Sequence, residues 1–146
     1  MRGRLRHHVF AVLTSLALIA FVVVDRRDPV SFVDGLIIPD PVMAGQVVIV
    51  RRSVVWYRAC EAEVSREVVG SDQIIHPYVK FTLRIPIRLG PQVAESQQSL
   101  QLPGGLPTRA SAAYHAVLRF HRCGLTSRAW PLVVDAPPIS FHVVEP

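Results

Sequence analysis

Twelve prolines, most of them set between apolar runs, leave little room for long helices in most of this 146-residue chain. Between them, apolar residues recur at every second position, the period of a half-buried strand. Residues 78–89 put Val79, Phe81, Leu83, Ile85 and Ile87 on one face and Lys80, Thr82, Arg84 and Arg88 on the other. Pro86 interrupts the polar row, as at an edge strand or a bulge. Residues 112–123 set Tyr114, Ala116, Leu118 and Phe120 against His115, Val117, Arg119 and His121. Residues 46–58 (QVVIVRRSVVWYR) are dense in β-branched and aromatic side chains, and Arg51-Arg52-Ser53 predicts a bulge or a step between sheets. Residues 61–69 alternate more evenly, and Gly70-Ser71-Asp72 turns the chain into Ile74-Ile75; a weaker strand is expected over 95–102, and two short final ones over 130–134 and 139–144, parted by Pro137-Pro138. Residues 30–41 read as a linker, a first edge strand, or both, with turn signals at Asp34-Gly35 and Pro39-Asp40-Pro41.

The exception to this pattern is residues 9–24, VFAVLTSLALIAFVVV, sixteen residues without a charge. At about 1.5 Å per residue they span about 24 Å, slightly short of a hydrocarbon core of about 30 Å. Arginines on both sides can snorkel to make up the difference. The run is apolar all round, which argues against an amphipathic core helix. It ends in bulky residues rather than a small-residue cleavage pattern, which argues for an uncleaved signal anchor over a removed signal peptide. The expected membrane contacts come from Val9, Phe10, Leu13, Leu16, Leu18, Ile19, Phe21 and Val24. Arg2, Arg4 and Arg6 precede the run, against Arg26 and Arg27 after it. That bias places the N-terminus in the cytoplasm and residues 29–146 in the periplasm, with the run in the inner membrane.

The predicted fold is therefore all-β: an immunoglobulin-like β-sandwich of about seven or eight strands preceded by one N-terminal transmembrane helix. Residues 1–28 form the basic N-terminus and anchor, 29–45 a linker or first edge strand, and 46–146 the sandwich. Of the net charge of +5, residues 1–28 carry +3, so the outer domain is only mildly basic and nucleic acid is not an expected partner.

Cys60 and Cys123 are the two cysteines, 63 positions apart at the ends of predicted strands. An exported domain meets an oxidising compartment, so a disulfide is expected, placed as a clamp between sheets. Tyr114 follows a Pro/Gly-rich turn and suits either a tyrosine corner or simple core filling. His115 and His121 lie six strand positions apart, about 20 Å, too far to share a metal. His121 and Cys123 have a ligand-like spacing, but a disulfide would remove the thiolate. No G-x-S-x-G, H-E-x-x-H, P-loop or C-x-x-C motif occurs, and no cofactor or catalytic residue is predicted. Arginine outnumbers lysine fifteen to one. Arg51, Arg52, Arg84, Arg88 and Arg119 are the candidates for a face toward an anionic partner, with ordinary solubilising charge as the competing reading.

An apolar anchor, a D-R-R-D-P-V junction, a P-x-x-x-G-Q-V strand opening, an R-x-C and a late Y-x-A-V-L-R-F-x-R-C strand together resemble small envelope proteins of bacteria and phages. Such proteins carry an N-terminal anchor and an immunoglobulin-like outer domain. The resemblance implies no activity, and no functional residue is carried over. The expected function is that of a non-enzymatic, membrane-anchored interaction module displayed to an envelope partner. The alternative is a structural subunit of a virion or envelope assembly, oligomeric, with its apolar N-terminus buried among subunits. An enzyme or metal carrier would need His115, His121 or His142 to gather with carboxylates in a pocket.

Overall fold

A computed structural model describes residues 2–86 and 90–145, with side chains from residue 10 onward. Helix α1 (Arg2–Asp25) is followed by nine strands among the described residues: β1 (Val30–Ile38), β2 (Val42–Met43), β3 (Val47–Trp56), β4 (Glu61–Val69), β5 (Ile75–Pro77), β6 (Phe81–Arg84), β7 (Gln92–Gln101), β8 (Ala110–Phe120) and β9 (Leu132–Val144). One 3-10 turn, Thr126–Arg128, lies between β8 and β9.

The strands form two sheets. One has the order β1-β3-β7; the other runs β2-β9-β8-β4-β5, with β6 also pairing β4. Alternation drives the layering: on β8, Ala112, Tyr114, Ala116, Leu118 and Phe120 are buried while their neighbours face outward. The short β2 pairs parallel to β9, and the remaining pairs are antiparallel. Gly45, at φ 76°, takes the left-handed conformation that the turn into β3 requires.

Several expectations change. Of the alternatives for residues 30–41, the first edge strand is formed, over the nine residues Val30–Ile38. The bulge expected at Arg51-Arg52-Ser53 lies on the facing strand, where the register shifts between Phe32 and Asp34 opposite Val54 and Ser53. The two final strands are one: β9 runs unbroken through Pro137-Pro138, which sit where the register slips opposite His115. A bulge is where a sheet tolerates residues that cannot donate to the ladder. Strand β6 covers only Phe81–Arg84 of the segment expected to extend to Leu89; Ile87, Arg88 and Leu89 lie outside the described residues.

Cys60 and Cys123 are joined, with Cα atoms 4.6 Å apart. They flank the register pair Ala62–Phe120, so the bridge staples neighbouring strands β4 and β8 of one sheet. The expected clamp between sheets, the immunoglobulin arrangement, is therefore not formed.

In α1, the Thr14 and Ser15 hydroxyls donate back to the carbonyls of Phe10 and Ala11, leaving an apolar surface on every side. Phe10, Leu13, Leu16, Leu18, Ile19, Phe21 and Val24 are all exposed, whereas Val9 lies outside the described side chains. Among the described residues the expected transmembrane helix is not found: no helix is long and apolar enough to cross a membrane. The described apolar side chains from Phe10 to Val24 cover about 22 Å at about 1.5 Å per residue, against a core of about 30 Å.

Candidate functional site

The inward rows of the strands are apolar except at one level. On β3 the row reads Val48, Val50, Arg52, Val54; on β4 it reads Ala62, Val64, Arg66, Val68. Across from Arg52 and Val50, β7 contributes Ser96 and Gln98. These polar residues, with Tyr114 from β8, form a seam that divides the core in two. Val50, Val68, Tyr114 and Phe141 belong to one apolar cluster, and Val54, Val64, Leu118 and Phe120 to the other.

Arg52 is 8% exposed. Its Nη2 donates to the carbonyl of Pro137 in the β9 bulge at 2.8 Å, and its guanidinium lies 5.4 Å from the Phe32 ring and 5.7 Å from the Tyr114 ring. Arg66 is half-buried. Its Nη1 donates to Gln98 Oε1 at 3.1 Å, its Nη2 donates to the Val79 carbonyl at 3.5 Å, and its guanidinium packs 4.8 Å from the Phe81 ring. The Nε atoms of both arginines are buried without a partner. Among the described residues neither guanidinium is paired with a carboxylate. Glu61, Glu63 and Glu67 occupy the opposite face of β4 by strand parity.

Two cations without a counter-charge in a sandwich interior are unfavourable, because desolvation penalises the charged form. Burial pulls the Arg52 guanidinium below its ordinary range, with Tyr114 acting in the opposite sense. The Pro137 carbonyl and the two rings offset only part of that penalty and no carboxylate offsets the rest, so Arg52→Met is expected to leave stability within about 1 kcal/mol of the parent or to raise it. Denaturant midpoints of the two chains check this; a loss above about 3 kcal/mol would mark the guanidinium as structural.

Burial pushes the Tyr114 hydroxyl up, against the smaller opposing effects of Arg66 and Arg52, and burial likewise pushes Tyr78 up. The folded chain thus holds these protons after an unfolded tyrosine, titrating near about 10, has lost its own. Their contribution to stability is full below about pH 10 and falls as pH rises through the interval up to the folded-state values. Unfolding midpoints at about pH 9 and about pH 11 are expected to differ accordingly, and Tyr114→Phe is expected to flatten the alkaline fall.

The seam opens into a cleft between the sheets. An inner lobe of about 60 Å³ is bounded by Arg52, Tyr114, Gln98, Val64 and Phe81. An outer lobe of about 250 Å³ shares Trp56 and Leu83 with it and continues past Ala94 and Ile85 to Arg58. Arg58 donates to the carbonyl of Arg27, so the outer lobe lies beside the end of α1. That end is fastened to the sandwich. Asp25 accepts from the backbone and hydroxyl of Thr126, and Arg26 donates to the Trp130 carbonyl at 3.1 Å while packing 5.0 Å from its ring.

The arginines expected to form an anionic-partner face fall in different places. Arg51 stands opposite Gln97 on the three-stranded sheet, and Arg52 is in the core. Arg84 and Arg119 are exposed on the six-stranded sheet, opposite Glu61 and Glu63. Arg84 pairs with Glu61 at 3.9 Å, and Lys80 pairs with Glu63 at 3.0 Å, holding that carboxyl below its ordinary range. Arg88 lies outside the described residues. Of the histidines, His142 is 3.9 Å from Asp40. Among the described residues no three His, Cys, Asp or Glu side chains are grouped to hold a metal. Tyr114 fills the core, as one of its two expected readings had it.

The sequence carried a signal for the seam that sorting by charge misses. Arg52 and Arg66 each occupy an inward position of a strand whose other inward residues are apolar. Assigning arginines to solvent by default hid them.

No family model and no curated protein matches the chain. Among solved structures, the sporulation control protein Spo0M from Bacillus subtilis matches at a TM-score of 0.41 and 14% identity, over 80% of this chain and 50% of that one. This chain spans about half the length of that structure, and a likeness of this degree decides neither fold detail nor function.

Proposed function

We propose that the chain is a non-enzymatic interaction module held by α1 as a single-pass anchor in an inner membrane, with the sandwich on the periplasmic side. The observation that carries this reading is the helix surface. Its apolar side chains are exposed all round, Phe10 to 73%. A helix apolar on every side is stable only inside lipid or among other subunits. Trp130 and Arg26, packed together at the helix end, suit the level of lipid headgroups, where aromatic and basic residues anchor a span. The flanking arginines extend a short apolar run by snorkelling, at modest expense in bilayer thinning. The resemblance to small bacterial and phage envelope proteins implies the same organisation. Partner recognition falls naturally to the outer edge of β7, which among the described strands pairs only with β3 and can accept an added strand. The competing reading, a virion or envelope subunit, uses the same apolar surface but buries it between copies.

External protease on cells expressing the full chain, read by mass of the membrane-bound product with and without reduction, separates the two. The anchored reading expects residues 29–146 to be digested only once the outer compartment is opened, with 1–28 retained in the membrane and Cys60 still joined to Cys123. A soluble, oligomeric and reduced chain would overturn it in favour of the assembly subunit.

A further inference from the structure

We infer that the cleft between the sheets is a binding site for a single-chain amphiphile whose anionic head, a carboxylate or a phosphate monoester, sits at the Arg52–Arg66–Tyr114 seam. The head is argued from charge. Arg52 and the Tyr114 phenol line the inner lobe, and Arg66 stands behind it on two other lining residues, Gln98 and Phe81. Both arginine Nε–H groups lack a partner, and no carboxylate of the described residues pairs with either arginine. Guanidinium is the group best shaped to hold a carboxylate or phosphate through parallel N–H donors. An anion at the seam would neutralise the buried charge and satisfy the idle donors together.

The chain is argued from shape. From the seam the cleft runs through apolar walls, Val54, Val64, Phe81 and Leu83, to the outer lobe of about 250 Å³ at Trp56 and Ile85. A free inorganic anion would leave that apolar length unfilled, and a neutral hydrocarbon would leave the guanidiniums unpaired. Only a molecule with both parts answers both observations. The inference does not rest on the membrane reading, since the cleft belongs to the sandwich.

The test is calorimetric titration of the full chain in lipid nanodiscs with octanoate and octyl phosphate, subtracting empty discs, with octanol and acetate as partial ligands. Saturable one-to-one binding of octanoate or octyl phosphate is expected, the ratio of the two naming the head. Octanol and acetate are each expected to bind at least about tenfold more weakly. Arg52→Met and Arg66→Met are each expected to weaken binding about 10- to 100-fold, the range for losing a charge-assisted hydrogen bond. Arg66 lies at the half-buried edge of the seam, so its variant stays informative should the other fail to fold. Octanol binding as tightly as octanoate would reduce the cleft to an apolar groove and overturn the inference. Acetate binding equally well, or unchanged affinity in a folded arginine variant, would overturn it too.

Discussion

Replacing Cys60 and Cys123 together by alanine is expected to lower the stability of the sandwich by about 4 kcal/mol. The bridge closes a loop of 63 positions, and cross-linking a loop that long removes about this much free energy from the unfolded chain in the loop-entropy description. Both cysteines are buried in the cluster around Phe120 and Leu132, so the folded state also loses packing at the strand ends. Because β4 and β8 are already paired along eight register positions, the sheet itself does not need the covalent bond to find its alignment. The variant is thus expected to fold to the same structure and to unfold at lower denaturant, with a steeper slope because its unfolded chain is no longer cross-linked. Equilibrium unfolding of the full chain in nanodiscs, oxidised, reduced and doubly substituted, checks this. Equal midpoints for all three would show that the unfolded chain is already constrained without the bridge.

The second large effect concerns α1. Leu16→Arg with Ile19→Arg places two charges at the middle of the apolar run, each opposed by about 3 kcal/mol at the centre of a membrane helix, about 6 kcal/mol for the pair. Retention in alkaline-washed membranes is expected to fall from nearly complete to a minor fraction, while the disulfide-bonded sandwich keeps its unfolding midpoint. Membrane retention equal to that of the parent chain would sink the anchor. Loss of a large soluble oligomer in place of membrane loss would support the subunit reading.

Local pattern made most of the sheet legible. The alternation of residues 112–123 and the β-branched density of 46–58 mark β8 and β3. What stayed hidden is nonlocal. That Cys60 and Cys123 would be linked follows from there being only two, but whether they sit on one sheet or two depends on strand order, which alternation does not encode. Pro137-Pro138 looked like a break because proline cannot donate to a ladder. The structure accommodates the pair in a bulge whose carbonyl is taken up by Arg52, a partner 85 positions away. The seam was hidden for the same reason. Arg52 and Arg66 acquire their meaning only when β3 and β4 face each other across the core.

The fastening of α1 to the 3-10 turn bears on how far the domain can search. Only residues 26–29 separate α1 from β1, and Asp25 and Arg26 are already bonded to the segment around Thr126 and Trp130. A flexible tether of about twenty residues would let a domain sweep about 25 Å. This one has no slack to sweep. On the proposed anchored reading, its encounters would be set by lateral diffusion, and its effective concentration would be high only for targets that travel in the same plane and at the same height. Inserting a Gly/Ser stretch after Asp25 would convert a fixed-height probe into a long-armed one.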